Sequence, residues 1–580
     1  MFPQSDVSAS APSGAGVRGA DAAPGARFPI NIRRFPWIRP LAVDYAFEYE
    51  RLAEFFAGNP ADPAAWRDTI ARTQRHPRDR VAIADILQAQ QRRRGAPAGA
   101  VAAAAQLRDP HTVAIVTGQQ AGLFGGPLFT LLKALTALRL AERTREQHGV
   151  AAVAVFWIDS EDHDWDEVKS SQVFDGDLAV RSVSAGTPPG AHQGPVALVR
   201  LDESIAVAIA ELEAALQPTE FSSQFLDGLR QAYRAGTGMA EAFGRWIEAV
   251  LGPRGLVVFD AADPAAKPLV AGLFAREIER AGDTSRLASE TGAALEGRGY
   301  HAQVTPQSDS VALFHLNPST AFGASPSTSL AASGGREPIR RDGAGFVVGE
   351  HAESSGGMLE RVREQPERFS PNVLLRPLVQ DTLFPTVCYV AGPNELAYLA
   401  QLGRVYAAFG IPMPLMQQRA SATIVDSNAM RFLARHEIPL ESLRAQDEAV
   451  LNALLESQLP PSVDASLQAA LGAIEERMTR VAAEVQQIDP TLEGAARSTL
   501  ARMLDDLKKL HAKIIQAAKR KDDTLRRQFH HARAQVFPGG HPQEREIAFV
   551  YFLNKYGPTL VDRLGDELPL DMGTHWVITI

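Results

Sequence analysis

Two runs that are apolar at every position, residues 112–117 (TVAIVT) and 151–158 (AAVAVFWI), flank a segment of helical character that begins at Pro127 with PLFTLLKALTALRLAERTRE. Runs without polar alternation belong to strands buried on both faces of a parallel sheet. Strand, helix and strand in this order predict a βαβ unit. Proline suits the first helical position, where its missing N–H costs nothing. A glycine-rich loop, GQQAGLFGG at 118–126, leads from the first strand into the helix, and the second strand ends abruptly in DSEDHD at 159–164. Further buried strands are predicted at 255–260, 385–390 and 413–417, and small ones at 310–316 and 345–349. Two strand-like pieces, LAVRSV and PVALVRL, lie around a Pro/Gly loop within 170–201. Helical stretches are read at 43–57, 62–94, 203–251, 268–280 and 395–409. The fold class is therefore α/β, a Rossmann-like parallel sheet carrying insertions near 168–250 and 284–368 within 27–462.

The pattern changes at about 463. Leu467, Leu471, Ile474, Met478, Val481, Val485 and Ile488 follow one another at intervals of four and three, a heptad seam. DPTLEG at 489–494 signals a turn. A second helix is predicted to about 536, with Leu500, Leu504, Leu507, Ile514, Ala518 and Leu525 on one stripe. Two amphipathic helices joined by a short turn make an antiparallel hairpin, so 463–537 reads as a coiled-coil arm. A long isolated hairpin leaves apolar surface uncovered, and a homodimer is the expected cover. The basic residues Lys508, Lys509, Lys513, Lys519, Arg520, Lys521, Arg526 and Arg527 suit a solvated face, an anion pocket at the arm's base, or RNA contact. Residues 538–580 are expected to return to the core. Residues 1–26, rich in Ala, Gly, Ser and Pro without an apolar core, suggest a disordered tail and no signal peptide.

Composition narrows the function classes. The net charge of −9 over 580 residues argues against a nucleic-acid partner. Cys388 is the single cysteine, so neither an intramolecular disulfide nor a zinc site built on two or more cysteines can form. Its place in an apolar run suggests packing, not nucleophilic chemistry. No apolar run approaches the ~20 residues of a membrane-spanning helix. The expected location is the cytoplasm.

The candidate chemistry gathers at predicted strand ends, where open α/β sheets bind their ligands. Gly118, Gln119, Gln120, Gly125 and Gly126 offer an anion cradle at a helix N-terminus, although the loop is neither a Walker A motif nor a G-x-G-x-x-G fingerprint. Lys133, on the opening turns of the helix, could reach a phosphate or extend to solvent. Asp159 and Ser160 are candidate substrate contacts, and Glu161, Asp162, His163 and Asp164 candidate catalytic groups. Such a set could hold Mg²⁺ through oxygen or supply a general base for an attacking amine; no dedicated metal-ligand set is assigned. Arg376, Gln380 and Arg419 could receive carboxylates, since a guanidinium matches a carboxylate with two parallel donors. Gly392 and Asn394 sit where class I synthetases often place a glycine-rich adenosine contact, a likeness of position. The plainer reading stays open, in which the glycines only shape a turn and the acids are a solvated strand end.

TGQQAGLFGGPLFTLLKA together with VFWIDSEDHDWDEV resembles the bacillithiol-biosynthesis cysteine-adding enzymes, the BshC family. FSPNVLLRPLVQDTLFPTVCYVAGPNELAYLAQL at 369–402 and YFLNKYGPTLVDRL at 551–564 agree, and the likeness runs from about Phe28 onward. The resemblance implies a ligase that joins cysteine to glucosaminyl-malate in the last step of making bacillithiol. It also implies a class I synthetase-type Rossmann core and a coiled-coil arm used to dimerise. In position the glycine loop matches the HIGH region of class I synthetases without its histidines, and QRAS at 418–421 stands where KMSKS would without its lysines. ATP is the simplest activator of a carboxylate for amide formation, yet these departures weigh against conventional adenylation. Two alternatives remain: a class I-type nucleotidyltransferase acting on another small acid, and a non-catalytic dimeric binding protein with a degenerate Rossmann site.

Overall fold

The computed structural model describes residues 27–192, 194–316, 335–457, 461–521 and 523–580. The expected tail at 1–26, the Ser/Gly-rich stretch at 317–334 and the side chains of Lys519, Arg520 and Lys521 lie outside what it describes. Two compact units are present, one made of Pro29–Thr423 with Gln543–Val577, the other chiefly of Ile424–Pro542.

The first unit is organised on a five-stranded, wholly parallel sheet. Its strands are β1 (Val113–Gln119), β2 (Ala152–Ile158), β3 (Val257–Asp260), β4 (Thr386–Ala391) and β5 (Leu415–Gln418), in the spatial order β5-β4-β1-β2-β3. The chain builds β1, β2 and β3 outward on one side, then returns to lay β4 and β5 on the other. The strand order therefore reverses between β1 and β4, the point where such sheets open a ligand crevice. All seven residues of β2 are buried, as are six of the seven of β1, which is why both runs lack polar alternation. Helix α1 (Leu128–His148) is the crossover between β1 and β2, closed by Gly149 at φ +64°.

The same unit carries two insertions. Between β2 and β3 lie a hairpin, Ser170–Phe174 with Val180–Ser184, and three helices, Ser204–Ala215, Ser222–Ala232 and Met239–Leu251, in place of one long helical stretch. The PVALVRL piece is no strand; it contains only the single turn Val196–Leu198. Between β3 and β4 an antiparallel five-stranded sheet is built from Ser310–Leu316, Arg336–Asp342, Gly345–Val348, His351–Ser354 and Phe369–Pro371. Two further helical readings, 62–94 and 395–409, are also broken. The first splits into Pro63–Arg75 and Arg80–Arg94 because Pro77 holds His76 extended (φ −74°, ψ 125°). The other splits into α3 (Pro393–Leu399) and Gly403–Phe409. Helix α2 (Arg376–Leu383) runs into β4.

In the second unit, helices α4 (Pro461–Glu484) and α5 (Leu492–Lys521) form the hairpin. A separate helix, Asp523–Val536, follows α5. The inward face does not keep the heptad. Burial falls on Leu467 and Ala482, with Leu471, Ile474, Met478 and Val485 half-buried, whereas Val481 is exposed and Ile488 is 81% exposed. Positions 467, 471, 474, 478, 482 and 485 advance at the period of a straight helix, so the last members of the seven-residue seam rotate outward.

Candidate active site

A cavity of about 470 Å³ lies at the carboxyl ends of β1, β2 and β4, at the reversal of strand order. Its size is that of a small-molecule site. β1 delivers Gly118 and Gln119, followed by Gln120; β2 is followed by Asp159 and Asp162; β4 is followed by Gly392, Asn394 and Glu395. Arg376 enters from α2, Lys133 from α1 and Arg419 from the end of β5. Ten of the expected site residues thus meet in one place, and seven do not.

Lys133 neither extends to solvent nor is free for a phosphate. It is buried, donates to the Gly118 carbonyl (2.8 Å) and the Gln119 side chain (3.1 Å), and pairs with Glu395 at 2.5 Å. Glu395 also accepts from the Tyr389 hydroxyl (2.8 Å) and the Gly392 N–H (2.6 Å). Burial opposes its charge, but Lys133 and these donors outweigh it and hold the carboxyl below its usual range. Arg419 is likewise committed: it forms a two-pronged pair with buried Glu544 (2.9 and 2.6 Å). Arg376 donates to the Tyr398 hydroxyl (3.0 Å), reaches Gln380 at 3.4 Å, and stands 3.8 Å from Asp159. Burial raises the Asp159 pKa, and Arg376 only partly offsets it. Gln120 donates to both Asp162 (2.5 Å) and Glu167 (2.9 Å).

The acidic cluster after β2 divides by direction. Asp159 and Asp162 line the cavity. Ser160 is buried and donates to Asp260, and Glu161 is buried in an ion pair with Lys267, so both hold the sheet edge together. The His163 side chain is 65% exposed; its ring lies 3.4 Å from Asp162 and outside the cavity. Asp164 caps the short helix Trp165–Val168 through the Glu167 N–H (3.1 Å). Its carboxylate is thereby turned to the backbone. Gln380 is buried and donates to Asp381.

The expected anion cradle at the α1 N-terminus is taken by the protein itself. The Leu128 N–H donates to the Ile547 carbonyl (2.8 Å), and Phe549 donates back to Gly126 (3.2 Å). Phe124, Gly125 and Gly126 all have positive φ, +55°, +97° and +77°. A Cβ at Gly125 would collide with the Phe549 ring, so that glycine is required by packing and not by a ligand. Gly118 belongs to β1, where a Cβ would sit 2.9 Å from the Trp157 carbonyl.

Several cavity residues had no sequence signal. Arg336 comes from the inserted sheet. It lies over Phe314, donates to the Pro371 carbonyl (2.6 Å), and its buried Nε has no partner. Glu544 and Arg545 lie on the short helix Gln543–Glu546, reached only after the whole hairpin. Glu544 turns inward to Arg419, and Arg545 faces the cavity. No periodic or spaced motif marks either residue. Among the described residues no group of three or more His, Cys, Asp and Glu side chains is arranged to hold a metal. The Gln120 amide bridges Asp162 and Glu167. No helix of the described residues is long and apolar enough to cross a membrane.

Comparison with known proteins agrees with this layout. A family model described as "Bacillithiol biosynthesis BshC, N-terminal Rossmann-like domain" matches residues 29–420, and one for the "C-terminal coiled-coil domain" of BshC matches 422–580. A Salinibacter ruber protein named "Putative cysteine ligase BshC" is 34% identical over 555 residues, covering 95% of this chain and 98% of its own. Proteins of the same name from Koribacter versatilis (33%; 93% and 97% covered) and Chlorobaculum tepidum (34%; 80% and 82% covered) are similar as well.

Proposed function

The chain belongs to the BshC family of bacillithiol biosynthesis, and from that premise we propose that it is a cysteine ligase acting on glucosaminyl-malate. The observation that supports this most is the cavity at the strand-order reversal, lined by carboxylates and guanidinium groups together. An amide forms when a neutral amine attacks an activated carboxyl carbon. The C–N bond is made, the acyl leaving group departs with its electron pair, and the nitrogen gives up a proton. On this reading Asp159 and Asp162, which line the cavity, hold the ammonium form and take that proton. Burial raises the Asp159 pKa, which suits the task. Arg376 orients Asp159 from 3.8 Å.

Activation of the carboxyl group is assigned to ATP as the simplest donor. The residues do not form a ready triphosphate cradle, because Lys133 and Arg419 are already neutralised by Glu395 and Glu544. Among the described residues no group of three or more His, Cys, Asp and Glu side chains is arranged to hold a metal. For assembly, the outward stripe of Val481, Ile488, Leu492, Met503 and Leu510 on the hairpin supports pairing with a second copy. The test is to incubate the purified protein with glucosaminyl-malate, cysteine and ATP, omitting each in turn, and to follow product by mass. An adduct one cysteine residue heavier is expected only with both substrates present. Its absence under every combination would overturn the assignment.

A further inference from the structure

Among the cations that line the cavity, Arg545 alone lacks any hydrogen bond or ion pair among the described residues. Lys133 is matched by Glu395, Arg419 by Glu544, Arg376 is bonded to Tyr398, and Arg336 to the Pro371 carbonyl. The charges around Arg545 are Arg419, Glu544 and Glu395, which place it at the Gly392 end of the cavity. Asp159, Asp162 and Glu167 line the same cavity, with Gln120 donating to the last two. The acids that can hold an ammonium are thus already beside Arg376 and Gln120, whereas Arg545, whose charged neighbours are Arg419, Glu544 and Glu395, keeps its donors uncommitted.

Resting on the ligase reading above, we propose that Arg545 binds the malyl carboxylates of the sugar acceptor. This sets the acceptor's direction, with its amine toward Asp159 and Asp162. Glucosaminyl-malate carries one amine and two carboxylates, which the acids and the uncommitted guanidinium can receive at the same time. Cysteine has a single carboxylate directly beside its amine and offers no second carboxylate to Arg545. A free guanidinium at a cavity wall offers paired N–H donors matched to a carboxylate. The arrangement on one short helix explains why Arg545 stays free. Glu544 and Arg545 are consecutive, so their side chains leave the helix in different directions, one into the core and one into the cavity.

The experiment is calorimetric titration of the full chain with L-malate, glucosaminyl-malate, glucosamine, cysteine and inorganic phosphate, on the wild type, Arg545→Gln and Arg545→Lys. Loss of a charged hydrogen-bond pair predicts that Arg545→Gln binds L-malate and glucosaminyl-malate roughly 10- to 100-fold more weakly. Glucosamine and cysteine should be unaffected and Arg545→Lys should recover part of the loss. The melting temperature should not move, because Arg545 makes no bond within the fold. Unchanged malate affinity in Arg545→Gln, no malate binding by the wild type, or a loss confined to phosphate would each overturn the proposal. The two readings fail separately. Product formation with an indifferent Arg545→Gln removes the subsite and keeps the ligase, whereas Arg545-dependent malate binding without any cysteine adduct does the reverse.

Discussion

Arg419 and Glu544 are 125 residues apart in the chain and buried side by side. A buried pair is costly to break from one side, because the remaining charge has no solvent and no partner. Glu544→Gln should therefore lower stability by about 3–5 kcal/mol in urea unfolding, while Arg545→Gln, next to it, should not. Glu544 also accepts from Ser421, whose hydroxyl contacts His575, a buried ring that touches Thr423 as well. Burial lowers the His575 pKa to about 4, so the unfolded chain binds its proton first as pH falls from about 6.5. Glu544 is held at about 2 by Arg419 against the effect of burial, and its contribution is lost between about 4.5 and 2. Glu277, raised to about 7 by burial, has the opposite sign, favouring the folded state as pH falls from 7 towards 4.5. The difference between wild type and His575→Gln isolates the histidine. The wild type should lose melting temperature relative to the variant from pH 6.5 down to 4, and parallel profiles would refute the assignment. At this scale the sequence was legible in part. Asp159, Asp162 and Arg376 were singled out because they lie beside recognisable strands, and all three line the cavity. His163 shares the same motif, but its ring points to water. His163→Ala should keep near-normal turnover, whereas Asp159→Asn should lose roughly 10²–10⁴-fold if it takes the amine proton. Steady-state rates on the two variants decide between them.

The elements show where pattern succeeds and where packing overrides it. β1, β2 and β4 were readable because full burial imposes a continuous apolar run. Of the inserted sheet, Ser310–Leu316 and Gly345–Val348 were read as strands, but Arg336–Asp342, which is REPIRRD and mostly polar, and His351–Ser354, an exposed edge strand, were not. Such short strands are specified by their neighbours and carry little local signal. The glycine loop was correctly seen as special, but its constraint is Phe549. Gly125→Ala should destabilise the fold by about 1–3 kcal/mol, from the strained φ and the displaced ring. Malate affinity of the folded protein should be retained, as Gly125 does not line the cavity. In the hairpin the heptad reading located the arm but misjudged its rotation by the end of α4. Ile488→Glu with Leu510→Glu should leave helicity intact and abolish a dimer in light scattering. An unchanged dimer would place the partner surface elsewhere.

At the scale of the whole molecule, the first unit is discontinuous in sequence. Its sheet is finished by Gln418, yet the Gln543–Val577 segment covers the α1 N-terminus, neutralises Arg419 and supplies Arg545. The return of the C-terminal segment to the core was expected, but not the residues that make the closure, because Arg419, Glu544 and Arg545 are distant in the chain and share no motif.

That path has a consequence for how the protein is made. When Thr423 leaves the ribosome all five strands exist, but Arg419 has no counter-charge until the whole of Ile424–Pro542 has been synthesised. At bacterial elongation rates that interval is on the order of ten seconds. During it the nascent sheet holds an unmatched cation and an uncovered helix end. The expected result is a chain that gains protease resistance only after Glu544 emerges. Ribosome-stalled chains carrying residues 1–423 plus a tunnel-spanning extension should be digested quickly and those carrying all 580 residues plus the same extension slowly. Equal digestion would show that the early segment closes without its late partner.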